Sequence, residues 1–176
     1  PRAPKHLFSD IQFAELGNLT QNVTLNELEL LPKHVWHLSM IKDWKIGEQG
    51  ARESLNEFLK EGISTYKSGR NIPFQKSVSR LSPRLHFGEL SPNQIWNDAQ
   101  QVLEQGDANL DSFLSELGWR EFAHHLHFHY PSLANENLNS KFNTFSWKNT
   151  PESLQAWQKG ITGYPIVDAG MRELYQ

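Results

Sequence analysis

The chain contains no cysteine. Disulfides, thiolate nucleophiles and cysteine-ligated zinc or iron–sulfur centres are therefore excluded. No apolar run approaches the roughly 20 residues that a membrane-spanning helix needs, and no stretch has the pattern of a signal peptide. Excess charge is also lacking: 17 Lys and Arg against 20 Asp and Glu give a net charge of −3. Bulk electrostatic attraction cannot then drive nucleic-acid binding, and any such contact needs a local patch. Period-2 strand patterns, internal repeats and low-complexity tracts are absent as well. The first residue is Pro1 rather than Met, and Gln176 falls inside a helical pattern, so the chain reads as a piece of something larger. What remains is aromatic. Six Trp and ten Phe among 176 residues describe a globular chain able to bury a core, not a disordered one.

Residues 1–45 read as a connector, with Pro1, Pro4 and Pro32 breaking it into two brief helices at most and Trp36 and Trp44 pinning it to a neighbour. From residue 46 to 176 the pattern is helical. Ala51, Leu55, Phe58 and Leu59 form the stripe of an amphipathic helix that Gly62 should stop. Ser82-Pro83 and Ser91-Pro92 each put a capping residue before a proline, and Ser91 with Gln94 makes a capping box. The helix after Ser91 should turn Ile95, Trp96, Ala99, Val102 and Leu103 inward and end near Gly106. A longer helix is predicted from about Asn109 to His129, stopped by Pro131. Thr150-Pro151 starts another that Gly160 ends, and Pro165 opens the last, through Ile166, Val167, Ala169, Met171 and Leu174. The fold class is all-α.

Two segments carry chemistry. Between Gly62 and Gly88 lie Lys67, Arg70, Lys76, Arg80 and Arg84 with no Asp or Glu, and Tyr66, Ser77, Ser79 and Ser82 add neutral donors among them. Cations mixed with hydroxyls describe a phosphate seat, although a solvated basic loop has the same composition. Glu116-Leu117-Gly118-Trp119-Arg120-Glu121-Phe122 sets acids, a cation and aromatics within two helical turns. Phe113, Glu116, Trp119 and Arg120 are spaced to share one broad face. That face suits a flat, polar-edged ligand; the bland alternative is a core Phe113 and Trp119 with a Glu116–Arg120 ion pair. His124, His125, His127 and His129 crowd one stretch, and His125 and His129 have the spacing of a shared zinc ligand pair that would still need further ligands. Trp36, Trp44, Trp96 and Trp147 read as core or interdomain anchors.

Glu116 to Phe122 resembles the active-site helix of the photolyase/cryptochrome flavoproteins. Val78-Ser79-Arg80-Leu81-Ser82-Pro83, then Phe87-Gly88-Glu89-Leu90-Ser91-Pro92, is similar to that family's flavin phosphate loop and following helix. Trp157 and Gly160 to Arg172 match a third block. Three ordered motifs cover residues of about 45–176. The resemblance implies FAD, held by Tyr66, Val78, Ser79, Arg80, Leu81, Ser82, Phe113 and Arg120. It implies DNA as partner, with Arg70 on its backbone and Arg120 beside the cofactor and DNA cavity. Trp119 would stack on a flipped pyrimidine dimer and Glu116 would hydrogen-bond its edge, as catalytic residues of the substrate pocket. Glu at position 116, where relatives acting on (6-4) photoproducts typically carry Gln, tilts the lesion towards cyclobutane dimers. Val78 replaces a hydroxyl residue frequent in that loop, and Gly118 replaces a bulkier apolar residue.

The resemblance thus implies a deoxyribodipyrimidine photo-lyase, repairing cyclobutane dimers in light by electron transfer from reduced FAD. An α/β antenna domain with a second chromophore would precede residues 1–45, and a further helical half would follow. The chain alone would then bind FAD weakly and repair nothing. The full-length protein is expected to be a monomer with no membrane association, in a bacterial cytoplasm or otherwise intracellular with access to DNA, and the family offers no metal. A cryptochrome photoreceptor is the first alternative; a helical interaction or metal-binding module without flavin is the second.

Overall fold

A computed structural model describes residues 23–31, 33–35, 37–148 and 150–175. Trp36, read above as an anchor, and Pro1, Pro4 and Pro32 lie outside the described residues. Among those residues the protein is all-helical, without a strand. After a 3-10 turn at Leu25–Leu28, the α-helices are α1 (His37–Ile41), α2 (Glu48–Glu57), α3 (Tyr66–Gly69), α4 (Ser82–His86), α5 (Pro92–Val102), α6 (Ala108–His129), α7 (Pro151–Gln158) and α8 (Pro165–Tyr175). The chain divides into two compact units, one built on Asp43–His124 and the other on α1 with His125–Gln176.

The core of the first unit is one apolar cluster. Ala51 and Leu55 of α2, Ile95 and Ala99 of α5, and Leu110, Phe113, Leu114 and Leu117 of α6 all belong to it. Gly62 does not stop the first helix. The chain passes through a π turn at Phe58–Gly62, in which the Ile63 N–H bonds the Phe58 carbonyl, then a 3-10 turn at Ile63–Thr65, and resumes as α3. Phe58, Leu59, Ile63 and Tyr66 are all buried along this widened stretch. Gly62 instead makes room for a ring: a Cβ there would lie 2.8 Å from Phe58 Cδ2.

Capping fixes the later boundaries. The Ser91 hydroxyl accepts the Gln94 N–H at 3.1 Å and starts α5, while the Gln94 amide turns to the Arg52 guanidinium instead of completing the box. Within α5 Ile95 and Ala99 are buried and Trp96 and Leu103 pack against the core, but Val102 stays exposed, contrary to the inward set read from spacing. Asp107 starts α6 by accepting from the N–H groups of Asn109 and Leu110 at 2.7 and 3.1 Å, and those bonds, Leu110's first, hold its carboxyl below the usual range. Ser82-Pro83 works differently: Leu81 is the capping residue and Ser82 is already helical, which frees its hydroxyl.

In the second unit α7 ends in a left-handed Gly160 (φ +63), with the Ile161 N–H bonding the Ala156 carbonyl and the Gly160 N–H bonding the Trp157 carbonyl. Asp168 of α8 organises the turn that follows. Its Oδ1 accepts from the Thr162 N–H and hydroxyl at 2.8 and 2.6 Å, and its Oδ2 from the Gly163 N–H at 3.1 Å. It is the buried residue of α8, whereas Ile166 and Leu174 are exposed. Trp147 is also exposed, stacked on Phe145, and so is not a core anchor.

Candidate functional site

The first unit carries an open cavity of about 810 Å³, a volume typical of small-molecule sites. One side is the segment from Ser79 to Phe87: Ser79, Leu81, Ser82, Pro83, Leu85 and His86 all line it. The other side is α6, through Phe113, Glu116, Leu117, Arg120 and His124, with Tyr66 of α3 between. Helix geometry explains the second wall, because residues 113, 116, 117, 120 and 124 recur at three- and four-residue intervals.

Its floor is aromatic. The Phe113 ring lies 4.8 Å from Phe58 and 5.3 Å from Tyr66, and Phe58 and Tyr66 meet edge-on at 5.8 Å. Burial pushes the Tyr66 phenol above its ordinary value, with the Arg70 cation opposing. At the rim, Arg70 donates to Glu116 at 2.5 Å across 46 residues of sequence and lies over the Tyr66 ring at 5.4 Å. Glu116 therefore pairs with Arg70 and not with Arg120, which pairs instead with its neighbour Glu121. The local pair weighed from sequence does not form.

Trp119 stands apart from this wall. It lies roughly 120° round the helix axis from Phe113, is 64% exposed, and meets Phe122 edge-on at 5.9 Å. With Ser115 and Gly118 these two rings border a shallow recess of about 480 Å³. A Cβ on Gly118 would touch nothing within 4 Å, so the glycine leaves the face beside Trp119 bare. Phe113, Glu116 and Arg120 thus share the cavity, while Trp119 faces the neighbouring recess; the single broad face read from spacing is two adjacent ones.

The basic segment sorts into unlike parts. Arg84 is no phosphate ligand: it is 4% exposed, donates to Glu89 at 2.7 Å and stacks over Trp44 at 5.4 Å. The other Glu89 oxygen accepts the Gly47 N–H at 2.7 Å, and the two bonds, Arg84's foremost, hold the Glu89 carboxyl below the usual range. That clamp fastens α4 to the start of α2 and was not legible as such from sequence, where Arg84 counted as one more loop cation. Ser77 is buried and bonded to Thr65 at 3.0 Å. Val78 is half-exposed and Leu81 buried, while Arg80 is exposed and adopts a left-handed backbone (φ +51) that turns the chain between them. Lys67, Lys76 and Arg80 make no ion pair among the described residues. His86, Phe87 and His124 join the cavity without having been assigned to it; the Phe87-Gly88-Glu89-Leu90 block held the signal for Phe87, and His124 had been noted only within the histidine cluster.

The His125 and His129 rings meet edge-on at 4.4 Å. Among the described residues no group of three or more His, Cys, Asp or Glu is placed to hold a metal ion, and no helix is long and apolar enough to cross a membrane.

A helical unit with hydroxyl groups opposite an acid–arginine face, over an aromatic floor, defines a helical ligand-binding domain. Comparisons with known proteins narrow the class. The family model for the FAD-binding domain of DNA photolyase matches residues 113–176. Deoxyribodipyrimidine photo-lyase of Agrobacterium fabrum is 41% identical over 154 residues, 86% of this chain and 32% of that protein. Cryptochrome-2 of Arabidopsis thaliana is 34% identical over 144 residues, covering 77% and 24% respectively. The crystal structure of a bacterial class III photolyase from Agrobacterium tumefaciens superposes with a TM-score of 0.78 at 40% identity, over 89% of this chain and 33% of that one. The chain belongs to the photolyase/cryptochrome family, in the region of its helical FAD-binding domain. It spans about a third of the length of the photo-lyase relative from Agrobacterium.

Proposed function

We propose that this chain supplies the phosphate-side wall of an FAD site and part of a lesion-binding face in a light-driven repair enzyme for cyclobutane pyrimidine dimers in DNA. The observation that carries the reading is the cavity, with the Ser79–Ser82 hydroxyls on one side and Phe113, Glu116 and Arg120 on the other. The donors present fit a flavin dinucleotide. Ser79 and Ser82 offer hydroxyls and Arg80 a cation without an ionic partner among the described residues, all suited to a diphosphate. The Phe113–Tyr66 floor offers flat apolar contact. Arg84, buried and neutralised by Glu89, takes no part.

When bound, reduced FAD would supply light-driven electron transfer that splits the dimer and takes the electron back. The chain's own residues bind and orient. In this reading Tyr66, Val78, Ser79, Arg80, Leu81 and Ser82 hold the cofactor's phosphate side, with Phe113 and Arg120 beside it. Glu116 accepts hydrogen bonds from the pyrimidine edge and Trp119 stacks on the flipped bases. Arg70 occupies only the Oε1 of Glu116, so Oε2 can accept from a base while the pair holds, and opening the pair would release Arg70 towards a DNA phosphate. Residues 1–45 serve as the connector from an antenna domain that carries the second chromophore, and 46–176 as part of the FAD-binding domain. The chain on its own then holds an incomplete site.

The relative from Arabidopsis is a cryptochrome, which keeps a light-signalling role as the second reading. One experiment separates them: blue light on the full-length, flavin-loaded protein with an oligonucleotide containing a cyclobutane dimer. Light-dependent loss of the dimer is expected. Flavin without repair favours the signalling reading, and a full-length protein that takes up no flavin sinks both.

A further inference from the structure

The loop between α3 and α4 leaves the cavity rim at Arg70, which holds Glu116, and returns to it at Ser79. Its tip is a tight turn. The Gln75 N–H bonds the Ile72 carbonyl at 3.0 Å, with Pro73 and Phe74 in the two central positions. Proline fixes the first of these, so the tip is stiff in the unbound protein. Both feet of the loop are anchored. The Ile72 N–H bonds the Gly69 carbonyl at 2.9 Å, and buried Ser77 packs so closely on Gly69 that a Cβ there would collide with its hydroxyl and Cβ.

This stiff turn presents Phe74 at 85% exposure. A single exposed apolar residue is ordinary in itself; its setting is not. Lys76 follows it two residues on and Lys67 precedes the loop in α3, both exposed and without ionic partners among the described residues, and no acid occurs between Gly62 and Gly88. An aromatic ring fixed among cations suits a polyanion that also offers apolar, stackable faces. Nucleic acid has that chemistry; an apolar protein partner would gain nothing from the lysines.

We propose that Phe74 is a DNA-contacting residue outside the lesion pocket, stacking on a base or sugar of the damaged strand beside the dimer while Lys67 and Lys76 meet flanking phosphates. The inference rests on the DNA-repair reading above and adds a contact to it. Because the turn is already ordered, little conformational entropy is lost on binding.

The test uses the full-length, flavin-loaded protein and dimer-containing duplexes, with affinity measured over a range of salt concentrations. Phe74→Ala is expected to weaken binding at least about fivefold, the lower bound for one aromatic–base stack, with an unchanged salt slope. Phe74→Trp should restore affinity. Lys76→Ala should instead flatten the salt slope by about one. A 2-aminopurine flanking the dimer should be quenched by the parent protein and not by Phe74→Ala. Wild-type affinity in Phe74→Ala overturns the inference and leaves the repair reading standing. Loss of thermal stability with unchanged DNA affinity also overturns it, and assigns Phe74 to packing against another part of the protein. A parent that discriminates no damaged DNA overturns both.

Discussion

Replacing Phe113 by Ala tests whether the aromatic floor holds the cavity together. Phe113 is 3% exposed and touches two rings, Phe58 at 4.8 Å and Tyr66 at 5.3 Å. Truncating a buried Phe to Ala costs about 3–5 kcal/mol, and the two ring pairs, worth about 0.5–1.5 kcal/mol each, push towards the upper end. The cavity pushes the other way, because Phe113 also lines open space and water can wet part of the hole. About 3 kcal/mol is the expected loss. With a urea m-value of about 2 kcal/mol per molar, the unfolding midpoint of the helical domain, followed by far-ultraviolet circular dichroism, should fall by about 1.5 M. Phe113→Leu keeps apolar fill and should cost about half as much. Flavin affinity should fall in the same order, since Tyr66 loses its backing in both variants and more in Ala. A midpoint change below about 0.5 M, near 1 kcal/mol, would refute the floor.

Two further outcomes divide the site and the second unit. Trp119→Ala should reduce preference for dimer-containing over intact DNA by about fivefold or more with normal flavin content, and Arg80→Ala should lose flavin with the DNA preference of the loaded fraction unchanged; equal flavin loss in both would collapse the two faces into one. Three hydrogen bonds, the Thr162 hydroxyl's foremost, hold the Asp168 carboxyl below the usual range. Its folded pKa is thus lower than its unfolded one, so its stabilisation is complete above about pH 4 and fades as pH falls through the folded value. Asp168→Asn should therefore lower the melting temperature at neutral pH, with the gap to wild type closing in acid, and a gap that persists to about pH 2 would count against it.

What was legible in the sequence was local. Ser91, Pro131, Pro151, Gly160 and Pro165 place helix ends through chemistry contained in a few neighbouring residues, and α5 to α8 lie near where those signals put them. Gly62 misled because a π turn leaves no mark in spacing: Phe58, Gly62 and Tyr66 fall at helical intervals whether or not the turn widens. Charge pairing was the least legible. From sequence, Arg120 is the obvious partner of Glu116 one turn away, yet the fold brings Arg70 from another helix end and leaves Arg120 to Glu121. Arg84 looked like a loop cation for the same reason, since nothing local says that Glu89 and Trp44 will enclose it.

Those pairings divide the charges of the first unit by task. Arg84–Glu89 is enclosed and fixes the angle at which α4 brings Ser82 and Leu85 to the cavity. Arg70–Glu116 is half-exposed, so opening it leaves neither charge stranded away from water, and a surface pair of this kind contributes only about 0–1 kcal/mol. A ligand that hydrogen-bonds Glu116 and an anion that takes Arg70 can replace it at small cost. Arg80 differs from both: it has no ionic partner among the described residues and sits in the left-handed region, which costs a residue with a Cβ about 1–2 kcal/mol. Buried Ser77 and Leu81 on either side hold it there. On the proposed reading, a cation kept unpaired on a strained backbone beside two cavity-lining serines is stabilised when the diphosphate of a flavin dinucleotide arrives.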